Sequence, residues 1–382
     1  MVKLLVTSDW QLDMLGGSLN PSARDYLKEV RISTVEEILK IAKEEKVDAI
    51  LAAGDLFEYS KPTPKTIEDV ARILQRYRSI PIHAIPGNHD LWGPSSVWNT
   101  PEFKAIKHFN LHKEQKCIEI SKNTFLYCIP VLSKFSTQPQ DELLEDVNKK
   151  DGIHIVMAHA HDVSYMDFSS HEDDCKLPIN STKVRNKGYD LVVMGHWHSW
   201  LEIEENRVLY TGTHEKTKFG EKDAGYIAII DIQDAHSQPN IIKKKVGQVE
   251  WSIEDFDCTG KQFPEELIEF TRGISEDVDF LKIKLTGEVP IEDKANGILQ
   301  AKQACATFVR HLNIDDKDLK TSIDIDKMTK NVDLPIGLKE IQAAILSELN
   351  ASDNTELSKK LLGELEVLYR ACREMGIIGG SK

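Results

Sequence analysis

Short apolar runs rich in β-branched residues recur up to about residue 232, and nearly every one breaks off at polar or ionisable residues. They are Lys3-Leu-Leu-Val-Thr, Asp48-Ala-Ile-Leu-Ala-Ala, Ile80-Pro-Ile-His-Ala-Ile, Thr124-Phe-Leu-Tyr-Cys-Ile, Ile153-His-Ile-Val-Met, Leu191-Val-Val-Met and Arg207-Val-Leu-Tyr. Runs this short and this apolar read as strands buried on both faces. Between the first two, Leu27, Val30, Val35, Ile38, Leu39 and Ala42 recur near helical spacing, and Thr66 to Tyr77 predicts a second helix. Strand, helix and strand in alternation, with strand pairs later, predict a layered α/β domain.

That pattern closes with Gly225-Tyr-Ile-Ala-Ile-Ile-Asp-Ile, after which Asp234 to Asn240 reads as a polar linker. A second unit is expected to hold a strand at Phe280-Leu-Lys-Ile-Lys-Leu and a helix around Asn296 to Leu312. The last fifty residues read as helical. Leu338, Ile341, Ile345 and Leu349 share one face, Leu357, Leu361, Leu365, Leu368 and Cys372 another, and Asp353 with Glu356 has the pattern of a capping box.

A chain of 382 residues is long enough for two or three domains. Its six cysteines are scattered without CxxC spacing, which argues against a disulfide framework or a thiolate zinc site and for a reducing, cytoplasmic setting. The apolar run before Asp9 is too brief for a signal peptide, and no later run reaches membrane-spanning length, so no membrane association is expected. The net charge of −14 excludes a protein that coats nucleic acid through bulk electrostatics, because phosphate binding rests on Lys and Arg.

The chemistry sits where the runs end. In order, the chain presents Asp9 and Gln11, Gly54-Asp55, Gly87-Asn-His-Asp90, Ala158-His-Ala-His161 and Gly195-His-Trp-His198. Oxygen and imidazole donors on successive loops at one sheet edge are what a pair of hard or borderline cations requires, with one carboxylate bridging. A lone His at a strand end is usually a hydrogen-bonded structural residue; five such clusters in this order are not.

The order D-x-Q, G-D, G-N-H-D, H, G-H-x-H resembles the calcineurin-like metallophosphoesterase superfamily. The resemblance implies two mixed β-sheets sandwiched between helices. It implies that Asp9, Gln11, Asp55 and His198 hold one metal ion and Asp55, Asn88, His159 and His196 a second, with Asp55 bridging. His89 would then lie off the metals and protonate the leaving oxygen, with Asp90 orienting it. His161 competes with His159 for the fourth cluster; His159 directly follows the strand, and His161 is read as a pocket residue.

Gln11 stands where an imidazole is usual. An amide oxygen is a weaker, neutral donor that cannot act as a base, so the first site should bind more weakly and favour Mn2+ or Mg2+ over zinc. With the other ligand positions intact, a working enzyme is expected rather than a decayed site.

Two further stretches narrow the resemblance. Gly54-Asp-Leu-Phe-Glu-Tyr-Ser-Lys-Pro-Thr-Pro-Lys65 and Tyr210-Thr-Gly-Thr-His-Glu-Lys-Thr-Lys-Phe-Gly-Glu221 are similar to loops of SbcD-type DNA repair nucleases. Likeness to that type implies a metallophosphoesterase domain over residues 1–235, a small α+β capping domain over 245–330 and a helical segment over 335–382 that docks on an SMC-like, SbcC-type ATPase. It also implies DNA as substrate and a homodimer. Trp10, Trp92 and Trp98 flank the metal loops and could stack on unpaired bases, and Lys216 and Lys218 could meet phosphate. Two other readings stay open: a phosphodiesterase or phosphatase acting on nucleotides or phosphoproteins, and a scaffold for the ATPase whose metal site is impaired by Gln11.

Overall fold

A computed structural model describes residues 1–134, 136–147, 152–165, 177–235, 237–322, 334–352 and 354–375. The chain forms two compact units, Met1–Trp251 and Ser252–Lys382.

The first unit is built on two six-stranded mixed sheets. One sheet holds β1 (Val2–Thr7), β2 (Ala49–Ala52), β3 (Ile82–Ala84) and β4 (Phe109–Leu111), all parallel, and is extended antiparallel from β1 by β13 (Tyr226–Ile232) and β14 (Asn240–Lys245). The other holds β5 (Lys116–Ser121), β6 (Thr124–Ile129), β7 (Ile153–His159), β10 (Leu191–Gly195), β11 (Leu201–Glu204) and β12 (Val208–Tyr210), with β6, β7, β10 and β12 parallel. A two-residue pair, β8 (His161–Asp162) and β9 (Pro178–Ile179), lies beside them in sequence.

Alternation along each strand explains the layering. Val2, Leu4 and Val6 of β1 and Ala49 and Leu51 of β2 pack against Leu126, Ile155, Met157, Val193 and Leu209 between the sheets. The intervening Leu5, Ile50 and Ala52 face the helices α1 (Pro21–Glu44) and α2 (Pro64–Arg76). On the far side, Val156, Ala158, Val192 and Met194 pack with Val184 of the short helix α4 (Ser181–Asn186), which follows α3 (Pro101–Lys104) in the chain. With both faces apolar, a strand must be buried twice, and a helix–sheet–sheet–helix sandwich does this. The α1 stripe runs Leu27, Val30, Val35, Ile38, Leu39 and Ala42 as its spacing predicts, and Asn20 caps it by accepting from the Ala23 N–H at 2.8 Å.

Three expectations are corrected. Asp234 to Asn240 is a connection between hairpin strands rather than a linker, because Asn240–Lys245 pairs with β13, and the first unit therefore runs past residue 235. The helix placed over Asn296 to Leu312 is α6 (Ile291–Cys305), which ends before β18 (His311–Asp315); that strand pairs parallel with β16 (Phe280–Thr286), Phe280 opposite His311. Among the terminal helices, α7 (Ile336–Ala351) buries Gln342 and Leu346, and Ile341 is exposed, since the buried stripe lies one residue further round the helix. It packs on α8 (Thr355–Glu374), which buries Leu361, Leu365 and Cys372. Asp353 lies outside the described residues; Asn354 accepts from the Glu356 N–H at 2.9 Å and the Leu357 N–H at 3.3 Å. The rest of the second unit is α5 (Glu265–Ile274), the sheet of β15 (Trp251–Asp257), β16 and β18, and the pair β17 (Glu288–Pro290) and β19 (Lys320–Ser322).

A buried histidine pair beside β3 makes the fold sensitive to acid. His83 Nδ1 lies 2.9 Å from His112 Nε2 with the rings stacked. Burial, helped by the Lys116 ammonium, pushes these imidazoles down to about 4 and about 3. Above the ordinary histidine value of about 6.5 both folded and unfolded forms are neutral and nothing is lost. Below it the unfolded chain takes up protons that the folded pair refuses, so stability falls by up to ~1.4 kcal/mol per pH unit for each histidine. Chemical denaturation of His112→Phe should show a loss between pH 7 and pH 5 smaller than the parent's by about 1 to 2 kcal/mol; equal losses would refute the assignment.

Candidate metal centre

The carboxyl ends of β1, β2 and β3 in one sheet and of β7 and β10 in the other lead to Asp9, Asp55, Asn88, His159 and His196 in turn. Open α/β sheets offer their binding crevice at that edge. The first two loops are zipped together: the Asp9 N–H donates to Gly54 O, the Gln11 N–H to Asp55 O and the Leu12 N–H to Leu56 O, each at 3.0 Å, and Glu58 N–H returns to Leu12 O at 2.9 Å. A parallel bridge between Ser8 and Thr213 joins the first loop to the second sheet's side.

Asp55 is the meeting point. Its Oδ1 accepts from the His89 N–H at 2.8 Å, and its Oδ2 lies 3.2 Å from His159 Nε2 and 3.3 Å from Gln11 Nε2. Asn88 Oδ1 sits 3.0 Å from His159 Nε2 and 3.1 Å from His196 Nδ1. Donor atoms of Asp55, His159 and His196 all lie within 4.8 Å of one another, close enough to share one ion. On the other side of Asp55, Gln11 Nε2 is 3.5 Å from His198 Nε2. Asp9 is fully buried and accepts the His196 N–H on both oxygens at 3.1 Å.

Burial alone would raise the Asp55 carboxyl, but the His159 charge and hydrogen bond outweigh it and hold it below the usual range. Burial likewise opposes charge on His159, and Asp55 with Asp9 overrides it, lifting the imidazole above its ordinary value. The cluster therefore favours positive charge beside Asp55. Gln11 points the same way: its Oε1 is buried without a hydrogen-bond partner. A half-turn of that amide would put an acceptor oxygen beside Asp55 Oδ2 and His198 Nε2. These residues fit divalent cations.

Backbone shape shows what the arrangement costs. Asp9, Gln11, Asp55 and His196 adopt φ of 50°, 45°, 51° and 98°, a region that side chains with a Cβ seldom enter. Arg31, fully buried in the apolar stripe of α1, holds the first loop: its Nε and Nη2 donate to Trp10 O at 3.0 and 2.6 Å, and its remaining contacts reach Glu215 O, Lys216 O and Thr213 Oγ1. Burial draws this guanidinium down to about 10, still charged at neutral pH.

Second partners fix the rings. His159 Nδ1 lies 2.9 Å from Ala53 O, and His198 Nδ1 3.3 Å from Glu221 Oε1, so each leaves its Nε2 facing Asp55 or Gln11. Glu221, the last residue of the 210–221 stretch, also accepts from the Thr217 N–H at 2.7 Å. Residues missed in the sequence are thus Arg31, Glu221 and Glu58. A charge inside the apolar stripe of α1 was the readable signal for Arg31; Glu58 and Glu221 both lay inside quoted stretches, Gly54 to Lys65 and Tyr210 to Glu221.

His89 stands off the donor group, and the Asp90 side chain, read in the sequence as orienting it, has other partners. The Asp90 carboxylate is buried and accepts from the N–H groups of Gly87, Leu56 and Phe57 at 2.7, 2.8 and 3.3 Å. It ties the Asn88 loop to the Asp55 loop. His89 Nδ1 instead faces Glu58, 3.1 Å from its carbonyl oxygen and 3.7 Å from Oε1.

Among the other expected contacts, Trp10 is buried with Nε1 on Thr7 Oγ1, and Trp98 is buried among Phe57, Phe103 and Phe109. Neither can stack on a base, since strand-end aromatics here complete the core. Trp92 is exposed, with Lys113 Nζ 4.3 Å from its ring centre. His161 borders the site, its ring 5.9 Å from that of His196. Lys216 is half-buried with its carbonyl on Arg31, and Lys218 is exposed on the same loop.

The calcineurin-like phosphoesterase family matches this sequence over residues 2–200, more than half of the chain. The chain is a calcineurin-like phosphoesterase. Within that family it is similar to a subunit of the nuclease SbcCD from Staphylococcus saprophyticus, 26% identical over 260 residues. That match covers 61% of this chain and 66% of the relative, just under two thirds of its length. Among solved structures, a dimetal phosphatase from Danio rerio aligns over 63% of this phosphoesterase and 98% of its own chain at 9% identity and a TM-score of 0.38. The Yfce phosphoesterase of E. coli aligns over 64% and 99% at 14% identity and a TM-score of 0.30.

Space around Asp55 is tight enough to test. A Cβ on Gly87 would lie 2.1 Å from Asp55 Oδ1 and 2.6 Å from its backbone nitrogen. Gly87→Ala should keep the fold by circular dichroism, lose about 1 to 3 kcal/mol of stability and lose Mn2+ binding in calorimetric titration; binding at the parent's affinity would contradict the role given to Asp55.

Proposed function

We propose that this phosphoesterase is a two-metal-dependent DNA nuclease that hydrolyses phosphodiesters at or near DNA ends. The observation that carries the reading is the double use of Asp55, which stands between Gln11 and His198 on one side and Asn88, His159 and His196 on the other. Asp9, Gln11, Asp55 and His198 would hold the first ion, and Asp55, Asn88, His159 and His196 the second. Mn2+ or Mg2+ suits the oxygen-rich first group. Two such cations, when bound, supply Lewis acidity toward the phosphoryl oxygens and an acidified water.

The protein's own groups do the rest. Glu58 O accepts from His89 Nδ1–H, which leaves Nε2 to deliver a proton to the departing oxygen. Asp90 keeps His89 within reach by locking its loop to that of Asp55. Glu221 sets the His198 ring so that its other nitrogen faces Gln11.

DNA is favoured by the Gly54 to Lys65 and Tyr210 to Glu221 stretches and by the similarity to the SbcCD protein. The second stretch has a structural reason to stay intact, since Thr213, Glu215 and Glu221 brace the first donor loop and His198. A net charge of −14 gives this chain little grip on a polyanion, which favours a partner of the SbcC-type ATPase class, working with it in DNA repair or recombination in the cytoplasm. Ile336, Ile341 and Val367, exposed on the terminal helices, suit a docking hairpin for that ATPase, and a homodimer accords with the same resemblance. Among the described residues no helix is long and apolar enough to cross a membrane.

The test is Mn2+-dependent cleavage of end-labelled linear DNA by the purified chain, with His89→Ala alongside. Loss of a general acid predicts a fall of about 100-fold or more in the variant. No cleavage by the parent, even with the ATPase added, would favour a small-diester enzyme or a scaffold.

A further inference from the structure

Five of the six tryptophans have evident work. Trp10 and Trp98 donate to Thr7 Oγ1 and Asp90 O inside the core, Trp92 lies under Lys113, Trp200 meets Glu202 and Lys243, and Trp251 packs on Phe219. Trp197 differs. Its side chain is 42% exposed, and among the described residues it has no hydrogen-bond, ring or cation partner. It stands between His196 and His198, the half-buried residues on either side of it in the metal centre.

The backbone there has little freedom to retract the indole. A Cβ on Gly195 would lie 2.1 Å from Ala53 O, so the loop enters in tight contact with the Asp55 side. His196 is held at φ 98° by two contacts of its N–H with Asp9, and His198 is held by Glu221. Between two fixed donors, the indole leaves a substantial part of its apolar surface in water and open to a ligand.

Resting on the nuclease reading, we infer that Trp197 is a stacking platform for an unpaired nucleobase next to the scissile phosphate. Its Cα lies one peptide, ~3.8 Å, from that of each flanking histidine, so the indole is carried on the same short loop as both donors. Every base offers a π face, so stacking would give affinity without sequence preference. It would also give affinity without charge, which a chain of net charge −14 needs when its substrate is a polyanion. A base in a paired end is already stacked on its neighbours, so the platform favours frayed or single-stranded termini.

The experiment compares Mn2+-dependent cleavage of a single-stranded oligonucleotide with that of the same strand made abasic at the nucleotides flanking the mapped cuts. The parent protein should prefer the intact strand in kcat/KM by about 5- to 150-fold, the range that stacking on one base is worth. In Trp197→Ala that ratio should fall toward one through KM, whereas Trp197→Phe, which keeps a π face, should retain most of it. Mn2+ stoichiometry should match the parent in both variants. An unchanged ratio in Trp197→Ala would overturn the inference while leaving the nuclease reading intact, and loss of bound Mn2+ in that variant would overturn it by marking the residue as a support for the histidines. Failure of the parent to cleave either strand would defeat the nuclease reading and this inference together.

Discussion

The site depends on one buried carboxylate. Asp55 draws an N–H from the His89 loop, faces an imidazole from the second sheet and faces the Gln11 amide of the neighbouring loop. Each sheet alone would present only half of a donor set; the sandwich brings His159 of β7 to within 3.2 Å of Asp55 after β2. Packing between the sheets, through Leu51, Met157 and Val193 among others, therefore sets the geometry of the charged cluster above it. A carboxylate with no access to water must be compensated by hydrogen bonds and positive charge, and the surrounding loops are arranged to provide both.

That arrangement is bought with backbone strain. Four residues of the donor loops sit at positive φ, each at a cost of about 1 to 3 kcal/mol if nothing compensated it. Compensation comes from the ladder joining residues 9–12 to 54–58, from the Asp90 carboxylate under three loop N–H groups, and from Arg31 on the Trp10 carbonyl. Burying a guanidinium is itself expensive unless its donors are met, and Arg31 meets them on the two loops that flank the first donor group. Removing Arg31 would leave Trp10 O and Thr213 Oγ1 short of partners and free the loop to relax.

Much of this was readable from the residues. Short continuous apolar runs predict strands buried on both faces, and donors placed where those strands end predict the edge at which they meet; the structure brings Asp9, Asp55, Asn88, His159, His196 and His198 together there. What was not readable was tertiary. Trp10 and Trp98 look alike to Trp92 in a sequence, and only the packing of Phe57, Phe103 and Phe109 around one and the Thr7 hydroxyl beside another turns them inward. Asp90 follows His89 directly, yet the bend of the loop sends their side chains to different partners, and Glu58, distant in sequence, takes the imidazole. Edge strands such as Lys116–Ser121 and Asn240–Lys245 carry charges on their open sides and so lack the apolar run that marks a central strand.

A glutamine in the first donor group and a net charge of −14 give the protein a consistent character: neutral oxygen where an imidazole is usual, and few cations with which to hold a polyanion. On the proposed reading, both would leave metal ions to supply most of the positive charge at the site, with Asp55 between their donor groups. The most direct test is electron paramagnetic resonance of the purified protein titrated with Mn2+. Two ions bridged by Asp55 predict a spin-coupled signal that grows in as the second equivalent binds and is absent from Asp55→Asn. A single uncoupled signal saturating at one ion per chain would contradict the account.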